Sequence, residues 1–346
     1  MYSLARKAFF RLPPENAHEI ALNMLNRLHK LHLAALMAAP KVEAPVQVMG
    51  LNFSNPVGLA AGLDKNATYL DALGALGFGF VEVGTVTPKA QAGNPKPRLF
   101  RVESKEVIIN RMGFNNEGVD ALVPRVAASR FAGIKGVNIG KNLTTSVEDA
   151  AQDYLTALEA VYQVADYVTV NISSPNTPGL RTLQYGETLE ALLKPLKQRQ
   201  QALADQYGKY TPIAVKIAPD MTAEEIRLVA ASIRQQKMDA VIATNTTLDH
   251  SSVAGLPHAD EQGGLSGAPL AQASTQVIAQ LADVLEGDLP IIGVGGIHNA
   301  ETALDKLKAG ASLIQVYTGL IYRGPELIAE VAHACADYLQ AAKASS

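Results

Sequence analysis

The chain predicts an α/β protein, a (β/α)8 TIM barrel carrying an N-terminal helical extension, and three observations carry that prediction. From about residue 46, apolar runs ending in small or polar residues alternate with helical patterns, eight times over. Eight strands each followed by a helix favour a closed barrel over an open doubly wound sheet. At 346 residues, 48% hydrophobic and 18% charged, the chain can fill one large core. Two excursions, residues 86–130 and 246–268, follow the second and sixth strands. Long loops at strand C-termini are where barrel enzymes place substrate contacts and lids.

The expected organisation is an extension over residues 1–41, a barrel over 42–340 and an Ala/Ser tail at 341–346. The extension reads as two short helices broken at Pro13-Pro14. Pro14 suits a first helical position and Glu15 the positive helix end. Ala17, Ile20, Ala21, Met24, Leu25, Leu28 and Leu31 then recur at helical spacing. Arg6, Lys7, Arg11, Arg27, Lys30 and Lys41 against Glu15 and Glu19 give this block +4, while the whole chain is −3. Two readings stand: a cap packed on the barrel, or a basic amphipathic element lying on a membrane around an apolar opening.

The eight strands are expected at Pro56–Ala61, Phe80–Thr85, Gly136–Gly140, Tyr167–Ile172, Ile213–Ala218, Ala240–Asn245, Pro290–Gly295 and Ser312–Thr318. Helical patterns fall at Ala67–Leu76, Val147–Ala165, Leu189–Gln206, Ala223–Gln235, Pro269–Leu285, Ala300–Ala309 and Pro325–Leu339.

Composition excludes several classes. There is no tryptophan and no long basic run, which argues against nucleic-acid binding. The only cysteine, Cys335, rules out an internal disulfide and reads as a half-buried structural thiol. No stretch reaches the roughly 18 apolar residues of a membrane span, and no secretory signal is evident. The seven histidines are scattered or N-terminal, so a metal site is not expected.

Barrel enzymes build their sites from strand C-termini. Here those ends supply Ala61-Gly-Leu-Asp-Lys65, Thr85, Asn138 and Lys141, Asn171 and Ser174, Lys216, Thr244-Asn-Thr246, Gly295-Gly296 and Tyr317-Thr-Gly319. The fourth end opens a loop, Asn171-Ile-Ser-Ser-Pro-Asn-Thr-Pro-Gly-Leu-Arg181, stiffened by two prolines and rich in amides and hydroxyls. The Gly293-Val-Gly-Gly296 and Gln315-Val-Tyr-Thr-Gly319 segments match a barrel phosphate site, where backbone N–H groups and a helix N-terminus meet the anion. Lys216 inside Val215-Lys-Ile-Ala218 is a cation in an apolar barrel mouth. It is open to three readings: a structural ion pair, a Schiff-base nucleophile, or a counter-charge to an electron-rich cofactor.

Together with Gly77-Phe-Gly79, Gly84-Thr-Val-Thr-Pro88, Pro97-Arg-Leu-Phe-Arg101, Asn110-Arg-Met-Gly-Phe-Asn-Asn116, Asn138-Ile-Gly-Lys141, Ala243-Thr-Asn-Thr-Thr247 and Gly263-Gly-Leu-Ser-Gly267, these motifs resemble dihydroorotate dehydrogenase. The resemblance is to the membrane-associated, quinone-reducing class and covers essentially residues 1–335. It implies a flavin-binding barrel that oxidises dihydroorotate to orotate in pyrimidine synthesis. FMN would be held by Ala61, Gly62, Leu63, Asp64, Lys65, Thr85, Asn138, Asn171, Lys216, Thr244, Gly267, Gly296, Tyr317 and Thr318. Substrate would meet Lys65, Asn110, Arg111, Met112, Gly113, Phe114, Asn171, Asn176, Asn245 and Thr246. Ser174 would be the base that takes the C5 proton, with Thr177 beside Phe114 as a relay. The soluble class carries cysteine at that base position, so serine favours the quinone class.

The resemblance also implies that residues 1–41 form a helical pair around a quinone tunnel. The enzyme would then be a monomer, held peripherally at the cytoplasmic face of the cell membrane. Alternatives are a flavin barrel acting on another pyrimidine ring, a Schiff-base lyase using Lys216, and a non-catalytic binding barrel.

Overall fold

In the barrel strands, side chains alternate between two apolar environments. Along Ile213-Ala-Val-Lys-Ile217, Ile213, Val215 and Ile217 pack outward with the helices, while Ala214 belongs to the interior cluster with Phe80, Tyr167 and Ile242. A strand buried on both faces reads as a continuous apolar run, which is why all eight were visible in sequence. The computed structural model describes residues 2–33, 38 and 40–345. The stretches 34–37 and 39 of the expected extension, residue 1, and the last residue of the expected tail lie outside the described residues.

The chain begins with α1 (Tyr2–Phe9) and α2 (Pro14–Lys30). A hairpin of β1 (Val46–Val48) and β2 (Leu51–Phe53) leads into β3 (Val57–Leu59), α3 (Leu70–Gly74) and β4 (Phe80–Val86). The first excursion holds β5 (Leu99–Val102), β6 (Val107–Asn110) and α4 (Val119–Ala128). Then come β7 (Ile134–Ile139), α5 (Ala150–Val161), β8 (Tyr167–Asn171), α6 (Gly186–Tyr207), β9 (Ile213–Ile217), α7 (Ala223–Gln235) and β10 (Ala240–Ala243). The second excursion carries β11 (Gly264–Gly267), followed by α8 (Leu270–Leu285), β12 (Ile291–Val294), α9 (Ala300–Lys308), β13 (Ala311–Val316), α10 (Thr318–Arg323) and α11 (Glu326–Ser345).

Strands β3, β4, β7, β8, β9, β10, β12 and β13 close in that order into a parallel barrel. The β1–β2 hairpin plugs its N-terminal end, where Phe53 meets Phe80 edge-on at 5.2 Å between ring centroids. At the other end the two excursions meet as an antiparallel sheet of β5, β6 and β11, with Asn110 opposite Gly264. The expected loops are therefore a roof, built from segments about 150 residues apart in sequence.

Several local expectations change. The expected stripe is divided: Ala17 and Leu25 are buried, as is Leu22 outside it, whereas Ile20, Met24 and Leu31 face solvent. Helix α3 begins later than expected because Asp64 accepts the backbone N–H groups of Thr68 and Tyr69 and holds that stretch in a turn. Helix α11 runs through Ser345, past the expected end at Leu339. Cys335 is fully buried rather than half-buried, and burial pushes its thiol up to about 12.

The extension is tied to the roof by charge. The Arg98 guanidinium meets Glu15 of α2 at 2.8 Å, and Lys96 lies 3.2 Å from the same carboxylate. Burial alone would raise the Glu15 carboxyl, but the hydrogen bonds and charges of Arg98 and Lys96 outweigh it and hold it below its ordinary value. A carboxyl depressed on folding stabilises above its unfolded pKa, and that contribution is lost as pH falls through the lower folded value. We expect Glu15→Gln at neutral pH to speed amide hydrogen exchange across residues 14–30. Wild type should show the same loosening below about pH 4, the ordinary glutamate range. Unchanged exchange in the variant would mean that the apolar face of α2 alone holds it.

Candidate active site

The strand C-termini and the roof line a cavity that opens to solvent. Its floor is built from the short residues that end the strands. Gly62, Gly267, Gly295 and Gly296 all have positive φ, and a Cβ on Gly296 would stand 2.2 Å from the Ala271 nitrogen. Glycine is required there because any side chain would strike the start of α8 at Ala271. Helix α10 starts at Thr318 beside this glycine turn, as a phosphate site requires.

From the cavity wall a column of hydrogen bonds descends into the barrel. Asn245 Nδ2 donates to Asn171 Oδ1 at 3.3 Å and to Ser173 Oγ at 3.0 Å. Asn171 Nδ2 donates to Thr85 Oγ1 at 2.9 Å, and that hydroxyl donates to Asn138 Oδ1 at 2.6 Å. Asn138 Nδ2 then donates to Glu82 Oε1 at 2.8 Å. The stiff fourth loop is clamped by Arg181, which donates to Ser173 O and Thr246 O and pairs with Asp220 at 2.7 Å. Ser174 Oγ is buried at the cavity and accepts the Asn176 N–H at 3.2 Å. Asn176 Nδ2 reaches across to Asn110 Oδ1 on the roof, 3.2 Å away.

Two lysines face this space. Lys65 Nζ donates to Gly62 O at 2.8 Å, and burial, reinforced by the Arg98 charge, lowers its ammonium to about 8. Lys216 is buried with no hydrogen-bond partner among the described residues; burial lowers its pKa while the Glu82 charge pulls it back up. Thr246 Oγ1 and Gln315 Oε1 are buried in the same wall without hydrogen-bond partners among the described residues. A buried lysine without a hydrogen-bond partner among the described residues and orphaned polar atoms in the same wall fit a polar, anionic ligand. Among the described residues no group of His, Cys, Asp and Glu could hold a metal.

Most of the expected site residues converge on the cavity: Ala61, Gly62, Lys65, Thr85, Asn110, Met112, Gly113, Phe114, Asn171, Ser174, Asn176, Lys216, Thr244, Asn245, Thr246, Gly267, Gly296, Tyr317 and Thr318. Five side chains do not. Asp64 is occupied with the turn at Thr68, and Leu63 faces a second cavity. Asn138 lies one layer below, between Thr85 and Glu82. Arg111 turns outward onto Glu261 at 2.7 Å and over the Phe100 ring. Lys141 binds its own loop, at Asn142 O and Thr145 O. No hydrogen bond joins Ser174 to Thr177 among the described residues.

The sequence reading missed His18, Ser266 and Glu82. His18 enters the wall from α2, and burial, then the Lys65 charge, lowers its imidazole to about 4. Its only sequence signal was a polar residue beside a helical apolar stripe. Glu82 was legible in principle, as one charge inside the apolar run Phe80-Val-Glu-Val83.

A second cavity, apolar, lies between α1, α2 and the barrel and shares His18, Leu99, Ile108 and Tyr317 with the first. In the same N-terminal segment, Leu4, Leu12, Ile20, Met24, Leu31 and Leu33 are exposed, six of the eleven large hydrophobic side chains so exposed among the described residues. Exposed apolar groups concentrated in one block mark an interaction surface rather than chance exposure. No described helix is long and apolar enough to cross a membrane.

Comparison with known proteins agrees with this geometry. Residues 43–339 match the family model described as dihydroorotate dehydrogenase. A protein of Chromobacterium violaceum named dihydroorotate dehydrogenase (quinone) is 59% identical over 341 residues, covering 99% of both chains. One of the same name from Cellvibrio japonicus is 59% identical, over 98% of this chain and 99% of that one. The crystal structure of Eimeria tenella DHODH in complex with ferulenol is 38% identical with a TM-score of 0.84, over 94% of this chain and 92% of that one.

The Lys65 ammonium gives the cavity a pH signature. A small carboxylate ligand should bind most tightly below about pH 8, where Lys65 carries its charge, and more weakly above it. Calorimetric titration between about pH 6 and pH 10 checks this, and pH-independent binding would put the carboxylate elsewhere.

Proposed function

The chain belongs to the dihydroorotate dehydrogenase family, and on that premise we propose that it oxidises dihydroorotate to orotate with FMN as cofactor and a membrane quinone as final electron acceptor. The reading rests on one observation above the others: Ser174, four asparagines and two lysines converge on a single cavity whose wall is shared with an apolar one. Family membership removes the Schiff-base lyase and the non-catalytic barrel. The depressed Lys216 amine is then best read as a counter-charge.

When bound, FMN supplies the two-electron redox chemistry that no side chain here provides. Ala61, Gly62, Lys65, Thr85, Asn171, Lys216, Thr244, Gly267, Gly296, Tyr317 and Thr318 would hold it, with the phosphate on the Gly295-Gly296 turn. Asn138 would act from beneath, through Thr85. Lys65 meets the substrate carboxylate. Asn110, Asn171, Asn176 and Asn245 pair with the ring edges, since asparagine offers both donor and acceptor as a uracil-like ring requires. The Asn176 N–H engages a lone pair of Ser174 Oγ and holds the hydroxyl at the cavity wall, where it would take the C5 proton.

Residues 1–41 would act as a quinone-binding extension to the barrel of residues 42–340. Exposed Lys7, Arg11, Arg27 and Lys30 accompany the exposed apolar side chains there. Each basic residue near an anionic lipid surface contributes about 1 kcal/mol, which favours peripheral attachment at the cytoplasmic face of the cell membrane. We read the enzyme as a monomer serving pyrimidine synthesis.

A yellow preparation that is bleached by dihydroorotate, but not by other reduced pyrimidines, tests the whole reading; a protein that cannot be loaded with flavin would sink it. Ser174→Ala should slow flavin reduction by dihydroorotate roughly 10²–10⁴-fold. An unchanged rate would remove Ser174 as the base. Ala21→Phe narrows the apolar cavity and should lower quinone-dependent turnover roughly tenfold or more, leaving flavin reduction by dihydroorotate at the wild-type rate. If both steps fell together, the two cavities would not divide the reaction in this way.

A further inference from the structure

Glu82 is fully buried in the barrel interior, and its carboxylate receives three hydrogen bonds of 2.8 Å, from Asn138 Nδ2, Tyr167 OH and Gln315 Nε2. Burial and the neighbouring Glu82 charge hold Tyr167 protonated, so it can only donate toward that carboxylate. A carboxylate only accepts, which fixes the sense of everything above it. Asn138 must turn its NH2 down to Glu82 and its oxygen up to Thr85. The Thr85 hydroxyl must then spend its single proton on Asn138 and meet Asn171 as an acceptor. Asn171 therefore turns its NH2 to Thr85, the sense that the Ser173 backbone N–H also favours at 3.3 Å from Oδ1, and its oxygen faces the Ser173 hydroxyl at 3.0 Å and the Asn245 amide.

We propose that Glu82 is a positioning residue for this reaction: from beneath the site, through Asn138 and Thr85, it holds Asn171 in the orientation that it presents to the substrate ring, whereas Asn245 is set by the Thr246 backbone N–H on its oxygen. This rests on the flavin and dihydroorotate reading above. Neither Glu82 nor Asn138 lines the cavity, so the influence passes through residues that do, Thr85 by way of Asn138 and Gln315 directly. A glutamine at position 82 would keep the shape but lose the sense. Its own NH2 could face Asn138 and turn that amide over, which would set the Thr85 hydroxyl against the orientation in which the Ser173 backbone N–H holds Asn171.

The test uses flavin-loaded protein and reads two quantities, the orotate dissociation constant from the flavin absorbance change and the midpoint potential of the bound FMN. Glu82→Gln should weaken orotate about tenfold, the scale of one misdirected hydrogen bond. It should also raise the potential, because a buried negative charge no longer opposes reduction. The double variant Glu82→Gln/Asn138→Asp restores an acceptor-only group in the column. The introduced carboxylate would accept from both the new glutamine amide and the Thr85 hydroxyl, so orotate affinity and potential should return towards wild type. Wild-type affinity and potential in Glu82→Gln, or a double variant no better than the single, overturns the proposal.

If Glu82→Gln takes up no flavin, Thr85→Ser and Thr85→Val carry the test instead. Serine keeps the hydroxyl and should keep orotate affinity, valine should lose about tenfold, and equal affinities overturn the proposal. A wild-type protein without flavin would overturn the underlying reading, and is recognised before any variant is made.

Discussion

Closure of the eight parallel strands is the constraint on which the rest of the molecule depends. It sends all eight strand C-termini to one rim, and so gathers residues as far apart in sequence as Ala61 and Thr318 around one cavity. It also creates an interior that must be filled from within. The lower interior is apolar, with Phe53 of the hairpin wedged against Phe80. The upper interior is polar, and its column of amides, hydroxyls and one carboxylate runs from Asn245 down to Glu82. The roof completes the enclosure, with β11 pairing to β6 across about 150 residues of sequence.

Much of this architecture was legible because buried parallel strands are uninterrupted apolar runs. Helix α7 runs over the expected Ala223–Gln235, and a capping box of Thr222 and Glu225 sets its N-terminus. Helix α3 was overextended because the arrest comes from Asp64, whose use as a turn acceptor depends on the fold around it. The roof sheet was invisible, since neither Val107–Asn110 nor Gly264–Gly267 carries a local signal for the other.

For the site, the motif resemblance located residues that share a rim but could not separate those that face the cavity from those that support it. Asn138 and Asp64 are supports, Arg111 belongs to the outer surface, and Glu82 escaped notice because its partners come from four different strands. Which polar residue lies above which is decided by strand register, and register is not written in any single segment.

The Glu15–Arg98 pair bears on how such an enzyme can change over time. Arg98 is almost wholly buried and also donates to Ala92 O and Asn94 O, while Arg101 donates to Phe10 O and Leu12 O. The extension and the roof are therefore not separable modules, although about 80 residues divide them in sequence. A graft of N-terminal helices that lacked a carboxylate at the Glu15 position would strand a buried guanidinium, a defect on the order of 3–5 kcal/mol. The heritable unit is discontinuous, and substitutions in the two segments can be tolerated only together.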